Sequence, residues 1–427
     1  MKRVVLILLV ALVALSAWAA PIKLTVVATG PYKFFEGEDF RGYGTVAEKM
    51  IGEFEKANPG YKVQYIIRDV THGSMTVDAL MAAGTPPDVW IDASGYFNKY
   101  LNADYAIPLE KYIDIKQFQK DLVDIYTRNG HVYGIPTANI CGGFAVNLSM
   151  LESIGYTMPE QKNWTTDEFM KLAALLKAKG IPATMIMGKG GMGTWNDIWL
   201  YAFGAQFFKN KDYSKVVINS KEALAGLNYI KALIDAGYAY PNPIELNDDM
   251  GVDLFTTGQV FSCVMQNGHT DYWIPEQVKQ GKLAKEFKYT FVEVPHAPGR
   301  THTPVYGYQT IVVAHTSKDA KKDKVIADLA YKFLCKEFQF YEIGVGGGFS
   351  TINGFKPVVG AAARDSYKAI SVLASTAGLM ENFPEGDKGA EVRRIWSSYT
   401  EAFLRGKFTA QDMLGKFEAE ANKALAK

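Results

Sequence analysis

The chain has 427 residues, a formal charge of +1 and 48% hydrophobic residues, enough for two ordinary domains with cores of their own. A near-zero net charge excludes the basic face that nucleic acid requires, so no nucleic-acid partner is expected. Aromatics make up 13% of the chain, and many lie in stretches without periodicity, which suits a neutral, partly apolar ligand.

Lys2-Arg3, the apolar run Val4 to Leu15 and the small-x-small triplet Ala17-Trp18-Ala19 read as a cleavable signal peptide over residues 1–19. No cysteine lies near that site to carry a lipid, so the mature chain is expected free in the periplasm. No other run is long enough to span a bilayer. The cysteines Cys141, Cys263 and Cys335 each sit in an apolar pattern, as small buried hydrophobes do.

Ile22 to Ala28 opens the mature chain as a strand, and a long aromatic loop, Thr29 to Gly44, follows. Val46, Met50, Ile51 and Phe54 fall at helical spacing, and Asn58-Pro59-Gly60 stops that helix. Tyr61 to Ile67 reads as strand, Ser74 to Ala83 as helix, Asp88 to Asp92 as a short buried strand and Ala93 to Leu101 as helix. Strands alternating with helices predict a mainly parallel sheet with covered faces.

Gly134 to Asn147 then runs extended, with Pro136 at its start and two glycines inside it. Glycine within a strand marks a bulge, a bend or a close approach to the backbone. This stretch is expected to cross between two lobes. Beyond it, Thr165 and Glu168 form a capping box before a helix with Phe169, Leu172, Leu175 and Leu176 in its stripe. The expected elements continue as strand Ala183 to Met187, helix Thr194 to Phe208, helix Lys221 to Ala236, strand Phe261 to Met265 and strand Phe287 to Val294. Strand Gln309 to Ala314 and the helices Ala320 to Glu337, Arg394 to Leu404 and Thr409 to Leu425 complete the chain.

In open α/β sheets ligands bind beyond the carboxyl ends of strands. The segments in that position are Thr29–Gly44, Asp92–Tyr96, Gly188–Trp195, Gln266–Trp273 and Tyr306–Gln309, all read here as loops. Gly188-Lys-Gly190-Gly-Met-Gly193 fits G-x-G-x-x-G, but the acidic residue of a dinucleotide site is missing at the end of the next strand. A glycine loop bringing a helix start to a ligand is the better reading. His296 and His302 lack a clustered third ligand, so no metal is expected, and no cofactor motif is present. Asp88 follows two prolines and suits a turn or cap, whereas Asp92, at a strand end, suits a hydrogen-bond acceptor for ligand hydroxyls.

With these residues in place, the chain resembles the bacterial extracellular solute-binding proteins of ABC importers, in the family 1 group that takes sugars and oligosaccharides. GTPPDVWID with IPLEKYI, the crossover GIPTANICGGFAVN with its NWTTDEF helix, LFTTGQVFSCVMQNG, GYQTIVVAHTSKDAKK and FLRGKFTAQDMLGKFEAEANKAL carry the likeness, in that order. NGHTDYW departs from the family's more usual Gly-Pro-Trp. The resemblance implies a two-lobed α/β periplasmic-binding-protein fold. Each lobe would hold a mainly parallel sheet flanked by helices, with crossing hinge strands between them. Residues 20–138 plus about 309–360 would form lobe 1, and 139–308 plus about 361–427 lobe 2. It implies no catalysis, a monomer, and an inner-membrane permease and ATPase as partners.

A sugar carries an apolar face and a ring of hydroxyls, so stacking and hydrogen-bonding groups are sought together. The expected stackers are Tyr43, Tyr96, Trp195, Trp273 and Tyr308, and the expected polar contacts are Asp92, Asn139, Asn196, Gln266, Asn267 and Gln309. Trp90 and Trp164 read as core. The alternatives are a non-sugar solute, such as a phospho-polyol or polyamine, and a secreted carbohydrate-active enzyme with two facing carboxylates.

Overall fold

The computed structural model describes residues 20–28, 45–67, 75–93, 98–160, 163–189, 196–209, 214–340, 349–355, 365–377 and 387–426. In chain order these form β1 (Ile22–Ala28), α1 (Val46–Ala57), β2 (Tyr61–Ile67), α2 (Met75–Ala82), β3 (Val89–Ala93), α3 (Lys120–Asp124), β4 (Thr127–Arg128), β5 (His131–Val132), β6 (Ile135–Asn147) and α4 (Leu148–Ser153). Then come α5 (Thr166–Lys177), α6 (Ile198–Ala202), α7 (Lys221–Asp235), α8 (Asp248–Thr256), β7 (Ser262–Gln266), α9 (Asn267–Lys279), β8 (Tyr289–Val292) and β9 (Tyr306–Ala314). The last are α10 (Ala320–Lys332), β10 (Phe349–Ser350), α11 (Asp365–Ala377), α12 (Asp387–Leu404) and α13 (Ala410–Leu425). The expected signal peptide lies outside the described residues. No helix among them is long and apolar enough to cross a membrane.

Two compact units divide the chain. One holds Met1–Asp92, Tyr100–Ile135 and Val312–Phe338; the other holds Ala93–Lys99, Pro136–Ile311 and Gln339–Lys427. In the first, β1 pairs in parallel with β2 from Ile22↔Tyr61 to Ala28↔Ile67 and with β3 from Val26↔Val89 to Ala28↔Ile91. Parallel neighbours need helical crossovers, and α1 and α2 supply them. The first begins at a capping box, Thr45 with Glu48, and buries Val46, Ala47, Met50 and Phe54. Asp88 accepts a hydrogen bond from the Thr25 backbone N–H at 2.8 Å, so its carboxylate ties the start of β3 to β1. Trp90 is fully buried. Between α1 and α10, a pocket of about 380 Å³ lined by Met50, Glu53, Tyr331, Lys332 and Cys335 contains none of the expected site residues.

The second unit is built on β6. It pairs with β7 from Gly142↔Gln266 to Val146↔Ser262, with β8 from Phe144↔Val292 to Asn147↔Tyr289, and with β10 at Asn139↔Phe349. All three ladders are antiparallel, a departure from the mainly parallel sheet expected in each half. β7 and β8 share a direction, and β6 is the strand that runs against both. Phe144, Phe169, Trp199 and Trp164 form an aromatic core beneath it, with rings of Phe144 and Trp199 5.5 Å apart.

Several elements differ from expectation. The helix expected over Thr194 to Phe208 is only Ile198–Ala202. Gly204 ends it at φ +92, with Ala205 N–H bonded to Leu200 C=O and Gly204 N–H to Tyr201 C=O, a Schellman stop. Ala183 to Met187 forms no ladder strand among the described residues; a single bridge joins Thr184 to Ala239. Gln266–Trp273 is not a loop, because α9 starts at Asn267 and carries Pro275 inside it. Tyr306–Gln309 is likewise part of β9. Gln339 and residues 349–355 pack with the second unit, although 309–360 was expected in the first lobe: Gln339 bonds Ser350 and Thr351, and Thr351 bonds the Pro136 carbonyl. The three cysteines are free.

Two helix-interior glycines give opposite expectations. A methyl on Gly226 of α7 would come within 2.9 Å of the Leu200 Cα, whereas one on Gly415 of α13 meets nothing nearer than the Asn219 amide at 3.8 Å. Gly226→Ala is expected to lower stability by about 1–3 kcal/mol through overpacking. Gly415→Ala should raise it by about 0.5–1 kcal/mol by removing chain entropy. Urea denaturation of the two variants measures both signs.

Candidate functional site

Most of the expected polar contacts fall on the second unit. Along β6, Asn139 is the one residue that is not buried. Three residues on, Gly142 pairs with Gln266, the last residue of β7 and the N-cap of α9. At about 3.3 Å per residue that places the two positions about 10 Å apart along the strand and, three residues apart, on opposite faces of the sheet. Gln266 is 6% exposed and its side chain does not cap the helix. The first N–H groups of α9 have no acceptor within the helix. Gln309, half-buried, lies on β9, whose next residue meets β6: Thr310 and Thr137 hydroxyls are 2.6 Å apart.

Asn196 has a different place. Its Nδ2 donates to the Met187 carbonyl, and its Oδ1 accepts from the Met187 N–H at 3.3 Å. The amide therefore brackets the two ends of the 188–195 segment. Gly188 N–H bonds Pro243 C=O at 2.7 Å and Lys189 N–H bonds Leu246 C=O at 2.9 Å. A Cβ on Gly188 would sit 2.8 Å from the Ile244 Cα. The first glycine of the G-x-G-x-x-G match is thus required by close packing of two backbones, with no phosphate needed to explain it. Asp197, fully buried, accepts from the Trp396 indole at 2.7 Å.

Trp273 is 38% exposed, too much for a core residue, and stands edge-on to Tyr272 with ring centroids 5.0 Å apart. Trp164 is core, its indole donating to the Tyr156 hydroxyl at 3.2 Å. In the first unit Asp92 is 4% exposed, one residue past the last β1–β3 pair. Tyr43, Tyr96 and Trp195 lie outside the described residues, as do the side chains of Asn267 and Tyr308.

Burial drives His269, in the first turn of α9, down to about 4, so it is a neutral imidazole at neutral pH. His302 and His296 do not converge: the first bonds Glu293 at 2.8 Å and the second the Ala297 carbonyl at 3.1 Å. No group of metal-binding side chains assembles among the described residues. Sequence reasoning missed α8 and α9. Thr270, Ile274 and Gln277, all buried in α9, fall at helical spacing and were the available signal.

Gln266 thus ends β7, while Asn139 and Gln309 lie within β6 and β9. The family model described as bacterial extracellular solute-binding protein matches residues 37–334, and the chain belongs to that family. It is 25% identical over 284 residues to the lactose-binding protein of Rhizobium radiobacter, a match covering 66% of this chain and 64% of that protein. An ABC substrate-binding protein from Listeria monocytogenes in complex with cycloalternan has a similar fold, with TM-score 0.76, 17% identity and coverage of 95% and 99% of the two chains. Maltose-bound MalE3 of T. maritima gives TM-score 0.74 and 19% identity, covering 94% and 99%.

Asp248, at the start of α8 just after the 243–246 segment, makes a pH prediction. Its Oδ1 is buried with no hydrogen-bond partner. Burial first, then the neighbouring Asp249 charge, pushes this carboxyl up to about 7. The unfolded chain ionises it near pH 4, about three units earlier, so its contribution to stability is lost as pH rises from about 4 to about 7 and is flat beyond. Asp248→Asn is expected to match the parent near pH 4.5 and to be more stable at pH 8, by at most about 4 kcal/mol. Denaturation midpoints at the two pH values check this.

Proposed function

We propose that this chain is the substrate-binding component of an ABC importer, taking a sugar or oligosaccharide outside the cytoplasm and passing it unchanged to a permease driven by an ATPase. The observation that carries the reading is the pair of neutral amides Gln266 and Gln309, on strands that both adjoin β6, in a chain of this family. Amides both donate and accept, as ring hydroxyls require, and each buried hydroxyl left unpaired costs about 1–3 kcal/mol. Asp92, buried just past the paired part of β3, is a further acceptor in this reading. Tyr43, Tyr96, Trp195, Trp273 and Tyr308 supply the rings for the apolar faces, and Asn267 a further amide. Asn196 serves through its neighbour, closing the segment that carries Trp195. Residues 1–19 act as the export signal, and the mature protein works as a monomer without metal or cofactor. The sugar ligands of the lactose, cycloalternan and maltose binders support the substrate class.

A thermal-shift screen over lactose, maltose, maltooligosaccharides, cycloalternan and chitin oligosaccharides tests the assignment, with glycerophosphocholine and spermidine as non-sugar controls. A ligand at one hundred times its Kd stabilises by about 2.7 kcal/mol, a shift of several degrees. Trp195→Ala is expected to abolish that shift while leaving the unliganded melting temperature within about 2 °C. Hydrolysis of a bound oligosaccharide, or stabilisation by the non-sugar controls alone, rejects the reading.

A further inference from the structure

Asp271 lies one turn into α9, four residues from Asn267 and so on the same helix face. Its two carboxylate oxygens serve two different elements. Oδ1 accepts the Tyr289 hydroxyl of β8, and Oδ2 accepts the Ser366 hydroxyl of α11 at 2.7 Å. Ser366 is buried. A carboxylate accepting two O–H groups makes charge-assisted bonds, stronger and more directional than neutral ones.

The rest of α11 rests on the strand that carries Asn139. A methyl on Gly143 of β6 would meet Ile370 Cδ1 at 3.0 Å and Leu373 Cδ1 at 3.2 Å, so this glycine is the seat of α11. Gly143 is the neighbour of Gly142, the partner of Gln266. On the other side, Tyr367 of α11 stands edge-on to Phe349 with centroids 5.6 Å apart, and Phe349 is the β10 partner of Asn139. One helix therefore touches β6, which carries Asn139, and α9, which carries Asn267. The Ser366–Asp271 bond is its side-chain hydrogen bond to α9 and adds a directional link to these apolar contacts.

We propose that α11 is the positioning element of the ligand site, and that the Ser366–Asp271 hydrogen bond is the joint by which it holds the first turns of α9 against β6. Asp271 and Ser366 are positioning residues that touch no ligand. That α9 and β6 carry ligand contacts rests on the proposed function; the joint itself does not.

The test uses the full mature chain and three readouts: hydrogen exchange of amides 271–274, the first in α9 with acceptors inside the helix; the urea midpoint; and affinity for the sugar found in the screen. Ser366→Ala removes one hydroxyl from α11 and keeps the Tyr289 bond. It is expected to speed exchange at 271–274 roughly ten-fold with a urea midpoint near that of the parent, and to weaken sugar binding roughly five- to twenty-fold through faster dissociation. Gly143→Ala is expected to produce the same local exchange by lifting α11, and adding Ile370→Val, which deletes the nearest methyl, to restore it. Unchanged exchange at 271–274 in Ser366→Ala overturns the proposal. So does a rise spread evenly over the second unit, the mark of ordinary destabilisation. If no sugar binds the parent protein, the functional reading falls, and the exchange data still decide the joint.

Discussion

The second unit depends on the backbone pairing of β6. Thirteen residues long, it bonds β7, β8 and β10, and twelve of its positions are buried. A buried strand must satisfy every N–H and C=O, so its neighbours are obliged to lie in fixed register. Register in turn fixes which residues stand beside one another: Gln266 beside Gly142, and Phe349 beside Asn139. Gly143 adds a second constraint, since a Cβ there would press on the ends of Ile370, Leu373 and Phe291. Close packing thus accounts for one of the two glycines.

Polar groups in this unit divide by what they hold. Asn196 and Asp197 are taken up by Met187 and Trp396, Glu293 by Asn163, His302 and Thr303, and Asp271 by Tyr289 and Ser366. These are structural joints, each made of a buried or half-buried polar group with more than one partner. Asn139 and Gln309 differ in lying at partly open positions, Asn139 on an otherwise buried strand. His269, in the first turn of α9, is a neutral imidazole by burial.

Membership of the solute-binding family fits this division. Binding without chemistry asks for rigid carriers and neutral contacts. The described residues supply rigid carriers: capped helices α1, α5, α7, α8 and α13 and a close-packed aromatic core around Trp199 and Phe144.

What the amino-acid order determined by itself was local. The capping boxes at Thr45 and Thr165 formed as written, because a cap involves residues three apart and no distant partner. The long extended run to Asn147 and the α/β class were legible for the same reason, from period and from breakers. The structure decided what depends on distant partners. α6 ended early at Gly204, where a Cβ would meet the Arg300 guanidinium. α9 formed through a proline and a polar run, because Thr270, Ile274 and Gln277 could be buried against the rest of the unit. The strand directions around β6, the bracket of Asn196 on Met187, and the meeting of Asp271 with Ser366 join residues nine to 130 or more positions apart. Periodicity carries no information about such pairs; only the closed chain brings them within a hydrogen bond of each other.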